Sequence, residues 1–149
     1  MKRKESIIFA GYRDWAKKIY DYANFNWYLA ETPEELLDLY NIDDCKMVIL
    51  AGWSWILSRE QVSSKLVFGF HPSDLPNYAG GSPIQNQVLD SIVDTKMTLF
   101  KLDEKIDHGN FLYKENLSLK GSIESIFRNM TYSSIAIIKS KFIPREEEQ

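Results

Sequence analysis

The stretch F-H-P-S-D-L-P-N-Y-A-G-G-S-P-I-Q-N-Q, Phe70 to Gln87, decides how the chain is read. It follows an apolar run, Leu66 to Phe68, that reads as a buried strand. Three prolines (Pro72, Pro76, Pro83) and the pair Gly80-Gly81 then exclude regular helix or strand across most of the stretch. A loop this long inside a compact domain is as a rule functional or disordered. His71, Leu75, Tyr78 and Ile84 argue for order. His71, one of two histidines in the chain, stands at the loop's mouth. Ligands of open α/β sheets bind beyond the carboxyl ends of the strands, which is where this histidine falls.

Upstream of the loop, apolar runs and helical patterns alternate. Ser6 to Ala10 reads as a buried parallel strand ending at Gly11, and Asp14 to Ala23 as a crossover helix with Trp15, Ile19 and Tyr22 at helical spacing. Asn24 to Glu31 reads as a second strand. Thr32-Pro33-Glu34-Glu35 is a helix start, with Thr32 as N-cap, Pro33 at the first helical position and Glu35 closing a capping box; Leu36, Leu37, Leu39 and Tyr40 supply its apolar face. Cys45 to Gly52 is a third strand, Ser58 to Lys65 a short helix with an S-x-x-Q cap, and Leu66 to Phe70 the fourth strand. Downstream, Pro83 to Ile92 reads as a helix, Lys96 to Leu102 and Phe111 to Leu119 as strands around a polar turn, and Gly121-Ser122 as the start of a long helix to about Ile143. This order implies one domain over residues 1–149, an α/β fold with a mostly parallel sheet and helices on both faces. Gly11 alone follows the first strand, so the G-x-G-x-x-G phosphate cradle of dinucleotide enzymes is missing and the architecture is Rossmann-like only.

Composition narrows the function classes. A chain of 149 residues is long enough for one real core. A net charge of -3, with no basic run beyond Lys2-Arg3-Lys4, leaves no electrostatic footprint for nucleic acid. Cys45 is the single cysteine, which excludes an internal disulfide and fits a reducing compartment. No apolar run reaches membrane-spanning length and none resembles a signal peptide, so a cytoplasmic protein is expected. The four Trp, eight Tyr and eight Phe read as stacking surfaces, a partner interface or core, and a homodimer is compatible with them.

Three polar groups collect at the expected ligand end: His71, Asp107 in the turn between the late strands, and Ser82, Gln85 and Asn86 around the Pro83 helix entry. A histidine with a nearby carboxylate holds a base or acid near neutral pH. On spacing alone His71 reads equally as a loop histidine satisfied by backbone groups, and Asp107-His108-Gly109 as a plain turn.

H-P-S-D-L-P-N-Y-A-G-G-S-P-I-Q-N-Q-V-L, followed by M-T-L-F-K-L-D-E-K-I-D-H-G-N-F-L, resembles the catalytic core of the 10-formyltetrahydrofolate-dependent formyltransferases, closely over Leu66 to about Phe127 and in layout only before it. The resemblance implies a Rossmann-like formyltransferase fold with its N-terminal half shortened by about one β-α unit. It implies a formyl donor, 10-formyltetrahydrofolate, an amine acceptor and no metal. It places His71 and Asp107 on the catalytic histidine and aspartate, within hydrogen-bond reach or one water of each other. The histidine and an asparagine stabilise the oxyanion there, and the aspartate orients the histidine. It places Trp53, Ser54, Trp55, Ile56 and Leu57, with Asp103, beside the folate ring, although ordinary packing explains two tryptophans as well. Ser73, Tyr78, Gly80, Gly81, Ser82 and Gln85 fall on the substrate loop.

The departures carry information too. Gly69 stands where the family has its asparagine, two residues before His71, and one lost oxyanion donor is worth about two to three orders of magnitude in rate. Backbone N–H groups near Gly80 to Ser82, or the side chains of Ser82, Gln85 or Asn86, are the candidates to replace it. Asp74 replaces an apolar residue and Ala79 an arginine. Without a basic patch or a tRNA-gripping C-terminal domain, a small amine is the expected acceptor, and the loop features resemble proteins acting on nucleotide-linked or activated amino sugars. Two other readings use the same residues: a hydrolase that deformylates the folate with water, and an inactive relative that binds a ligand or partner.

Overall fold

Unbroken apolar runs such as Ile7–Ala10 and Val48–Ala51 put side chains on both faces of a strand and need both covered, and the chain supplies helices for both. The computed structural model describes residues 6–23, 27–103 and 110–142. In chain order the elements are β1 (Ser6–Ala10), α1 (Asp14–Ala23), β2 (Tyr28–Ala30), α2 (Pro33–Leu39), β3 (Cys45–Ala51), α3 (Arg59–Ser64), β4 (Leu66–His71), α4 (Pro83–Leu89), β5 (Asp94–Lys101), β6 (Asn110–Ser118) and α5 (Ile123–Lys141). The six strands form one sheet in the order β2-β1-β3-β4-β5-β6. The first four run parallel, with Val48 beside Val67 and Ile49 beside Phe68 between β3 and β4. β5 and β6 are antiparallel additions, joined to β4 through pairs such as Gly69–Phe100 and His71–Thr98.

The period of two along each strand divides the core. Ile7, Phe9, Ile49, Phe68, Met97 and Leu99 face α1 and α5, whose Ile19, Ile126, Met130 and Ile138 close that side. Ile8, Ala10, Val48, Leu50 and Val67 face α2, which buries Leu36 against them. Thr131 ties α5 to α1: its hydroxyl donates to the buried Trp15 carbonyl at 2.8 Å.

Both N-cap signals form, with one difference. Ser58 and Gln61 make the full reciprocal box, at 2.9 and 3.1 Å. Thr32 accepts from the Glu35 N–H at 3.1 Å, but the Glu35 carboxylate reaches past Thr32 to the N–H of Glu31, 2.7 Å away.

Other differences arise where tertiary context overrides pattern. β2 covers Tyr28–Ala30 rather than Asn24–Glu31; residues 24–26 lie outside the described residues. Tyr22 and Leu37 are exposed instead of sharing the apolar faces of α1 and α2, because Ala16, Ala23 and Leu36 meet the sheet there. α4 ends at Leu89, before Ile92, and Ser91 at φ 62° turns the chain into β5. Ile123 and Phe127 of α5 leave the core and face a cleft. Among the described residues no helix is long and apolar enough to cross a membrane.

Candidate active site

The order in which strands are added reverses between β1 and β3: β1 leads out to β2 on one side, and the chain returns to the parallel strand β3 on the other. Such a switch point opens a crevice beyond the carboxyl ends of the strands. A cleft of about 820 Å³ lies there, lined by the turns after β1 and β3, the end of β4, the start of α4, the end of β5 and one side of α5. Its size is that of a small-molecule site.

The wall on the β1–β3 side is aromatic. Trp53 and Trp55 line the cleft there and Tyr12 packs against both: Trp53–Trp55 and Tyr12–Trp53 meet edge to face, with ring centroids 4.9 and 6.3 Å apart, and Tyr12–Trp55 is tilted at 5.1 Å. The Tyr12 hydroxyl is hydrogen-bonded to that of Ser54, tying the two turns together. Gly52 makes the bend possible. Its φ is +61°, and a Cβ there would stand 2.9 Å from the Trp15 ring. Trp55 is 43% exposed and Ile56 99% exposed. Neither side chain is packed into the core, and both line the cleft.

His71 closes β4 and lines the opposite side. Its Nε2 lies 2.9 Å from the Tyr78 carbonyl. A carbonyl only accepts, so Nε2 carries the hydrogen and Nδ1 is left as the nitrogen that takes up a proton. Burial pushes the imidazole's pKa below its usual value, and the Tyr78 carbonyl opposes that shift in part. The ring is therefore neutral near pH 7, as a base must be.

The loop that positions His71 is held by buried polar groups. Ser73 is fully buried. Its N–H donates to the His71 carbonyl, its hydroxyl to the Asn77 carbonyl at 2.7 Å, and its own carbonyl accepts from the buried Thr98 hydroxyl at 2.7 Å. The Gln87 amide, also buried, clips the two ends of the loop by donating to the carbonyls of Pro72 and Pro83 at 2.8 and 2.9 Å. Lys114 reaches across from β6 to Asp74 and to the Leu75 carbonyl, at 2.6 and 2.7 Å.

Against this geometry the comparisons with known proteins are specific. The formyl transferase family matches residues 16–125. The chain belongs to the formyl transferase family. A methionyl-tRNA formyltransferase from Rickettsia typhi is 26% identical over 92 residues, which are 60% of this chain and 30% of that protein. The chain thus matches under a third of the length of that curated relative. Methionyl-tRNA formyltransferase from Clostridium thermocellum superposes with a TM-score of 0.76 at 29% identity, over 94% of this chain and 67% of that one. HypX from Aquifex aeolicus, solved in complex with tetrahydrofolic acid, shares the fold at a TM-score of 0.72 and 15% identity, over 93% of this chain and 27% of that one.

Within this formyl transferase fold, the structure sorts the residues singled out in the sequence. Trp53, Ser54, Trp55, Ile56, Leu57, His71, Gly80, Gly81, Ser82, Gln85 and Asp103 all line the one cleft. Ser73 and Tyr78 do not. Ser73 is a buried loop staple, and the Tyr78 ring turns away to donate its hydroxyl to Asp90 at 2.5 Å, leaving only its carbonyl for His71. Asn86 does not line the cleft, and its amide donates to the Gly81 carbonyl at 3.3 Å. Asp107 lies outside the described residues, and with it the expected His71–Asp107 pair.

The space beside Gly69 is filled. A Cβ there would stand 3.2 Å from the Phe100 ring and 3.3 Å from Leu102 Cδ1. The cross-strand partner Phe100 covers the bare backbone, and both it and Leu102 form part of the cleft floor.

The sequence did not single out Arg13, Arg59 or Phe127, which line the cleft, or the clip residue Gln87. Arg13 directly follows the first strand's glycine turn, a position beyond a strand's carboxyl end, and that was the available signal.

Proposed function

We propose that this chain transfers a formyl group from 10-formyltetrahydrofolate to the amine of a small acceptor, a nucleotide-linked or activated amino sugar. The observation that carries the reading is the convergence, in one cleft, of a neutral buried-side imidazole with the exposed aromatic wall at Trp53–Leu57. The wall suits a flat heteroaromatic ring, and the cleft has the volume for it. When bound, the donor supplies an activated one-carbon unit. The carbon–nitrogen bond to the folate breaks as the bond to the acceptor nitrogen forms, and one proton passes from the acceptor nitrogen to the folate nitrogen. His71 serves that proton movement, taking it at Nδ1 while the Tyr78 carbonyl holds Nε2–H. Asp107 is proposed to orient the histidine. Ser82 and Gln85 are proposed to face the developing oxyanion, in the role left open by Gly69.

The small-acceptor reading rests on the absence of a basic patch from the sequence and on the loop features shared with amino-sugar formyltransferases. Release of tetrahydrofolate, followed with a panel of nucleotide-linked amino sugars, tests it. Amine-dependent turnover that His71→Ala lowers by about 100-fold or more is expected. Folate binding without turnover on any amine would sink it, and loss of the formyl group without amine would mark a hydrolase.

One observation favours a second reading, a binding protein without turnover: a Cβ at Gly69 would press on Phe100 and Leu102, at 3.2 and 3.3 Å, so the packing there is built around a residue without a side-chain amide. In that case His71→Ala leaves folate binding and biological effect intact.

A further inference from the structure

Among the described residues three that are not glycine take a positive φ: Tyr78 at 57°, Ser82 at 55° and Ser91 at 62°. All three belong to the loop after β4 or to the two ends of α4. Tyr78 is the bulkiest of them and so the least suited to that region, and such backbone persists only where its surroundings hold it. Tyr78 is held at both ends. Its carbonyl accepts from His71 Nε2 at 2.9 Å, and its hydroxyl donates to Asp90 Oδ2 at 2.5 Å. The second bond has the short length of a charge-assisted one. Asp90 is a fixed acceptor: it closes α4, and its own N–H donates to the Asn86 and Val88 carbonyls. Gln87 in turn clips α4 to the loop. A chain of contacts runs from the end of α4, through one strained residue, to the imidazole that ends β4.

We infer that the Tyr78–Asp90 hydrogen bond is a latch that positions His71: it keeps the Tyr78 backbone in the left-handed region, which aims the carbonyl at Nε2, fixes the hydrogen on that nitrogen and leaves Nδ1 free. A neutral imidazole can carry its hydrogen on either nitrogen, and the partner of one decides which. With the latch open the strained residue relaxes, its carbonyl leaves Nε2, and part of the population carries the hydrogen on Nδ1, where it can accept no proton. Tyr78 and Asp90 are positioning residues; neither lines the cleft. The use made of Nδ1 rests on the proposed formyl transfer. The latch itself does not, because the resting protein reveals it.

The test is nuclear magnetic resonance of the imidazole nitrogens in the whole chain, labelled with nitrogen-15, at about pH 8, where an ordinary histidine is neutral. The variants are Tyr78→Phe, Asp90→Ala, the two together, and Asp90→Asn, which keeps an accepting oxygen. His71→Gln shows which of the chain's two histidine signals belongs to His71. Asp90 is exposed and Tyr78 half-buried, so none of the latch variants empties the core. The parent chain is expected to hold the Nε2–H form. Tyr78→Phe and Asp90→Ala each lower the ratio of Nε2–H to Nδ1–H by about threefold or more. The double variant goes no further than the stronger single one, and Asp90→Asn keeps the parent spectrum. A ratio unmoved in Tyr78→Phe and Asp90→Ala overturns the inference whatever happens to the melting temperature, because the bond then only stabilises the loop. Losses that add in the double variant, or Asp90→Asn behaving as Asp90→Ala does, overturn it as well. In the transfer assay the two single variants lower kcat by a similar factor and leave the KM for the donor within about twofold. A shifted ratio in a chain that formylates no amine would leave the latch standing and the transfer reading refuted.

Discussion

His71 can act as a base near neutral pH because its surroundings oppose protonation. Burial disfavours the imidazolium, and a carbonyl on Nε2 leaves only Nδ1 to receive a proton. The acid limb of the kcat/KM profile is therefore expected below the usual histidine value near 6.5. A limb at or above 6.5 would show that His71 is not the titrating base. Gly69 makes a second prediction at this scale. Asn in its place drives a Cβ against Phe100 and Leu102 at 3.2–3.3 Å, so Gly69→Asn costs about 1–3 kcal/mol by overpacking. Trimming the ring with Phe100→Leu in the same chain recovers part of that loss. Urea melts of the two variants measure it, and additive losses would mean the two positions are not coupled.

Among the elements, the loop from β4 to α4 depends on one side chain more than any other. Gln87 donates to carbonyls at both ends of the loop, fifteen and four residues away. Gln87→Leu keeps the bulk and orphans both acceptors, at about 1–3 kcal/mol. Amide exchange in the Ser73–Gly81 segment should accelerate together, with β1 and β3 unaffected; uniform acceleration across the sheet would contradict a local role. This scale also shows what the sequence could reveal. Caps are local chemistry, so Ser58-x-x-Gln61 and Thr32-Pro33 were readable from a few residues. Buried parallel strands announce themselves as unbroken apolar runs, so β1, β3 and β4 were readable too. Tyr22 and Phe127 were misjudged because helical spacing identifies an apolar stripe without telling core from cleft. Ser73 and Gln87 were opaque for another reason: a polar residue's burial depends on which distant carbonyls the fold brings to it, here those of Asn77, Pro72 and Pro83. The cleft's address beyond the strand ends was legible; Arg13 and Arg59 join it through the β1–β3 switch point.

For the whole molecule, His71 links stability to acidity. Unfolded, it binds a proton near pH 6.5; folded, it does so only at lower pH. Between those values the unfolded state holds more protons, so unfolding free energy rises with pH there. The contribution is complete above the unfolded value and is lost as pH falls through the folded one. His71→Gln should flatten this part of the stability–pH curve, as read by denaturant melts at closely spaced pH; an unchanged slope would assign it to other groups. The sheet's outer edge is also managed. β6 is the terminal strand, and its exposed Phe111 and Tyr113 rings are covered by Lys114 at 5.6 Å and Lys141 at 4.4 Å. Cations along an open edge discourage pairing with another chain. Lys141→Gln is expected to raise self-association at high concentration, visible in sedimentation velocity.

The cleft's lip at Gly80-Gly81 has a bearing on how such a protein can change its habits. A Cβ at either position meets no atom within 4 Å, and only Gly80, at φ +95°, needs glycine's backbone. Gly81 is thus a vacant lot on the cleft's rim. Side chains can be installed there without disturbing core, caps or the Gln87 clip. A lineage, or an engineer, can reshape this cleft through that position while the rest of the fold stays as it is.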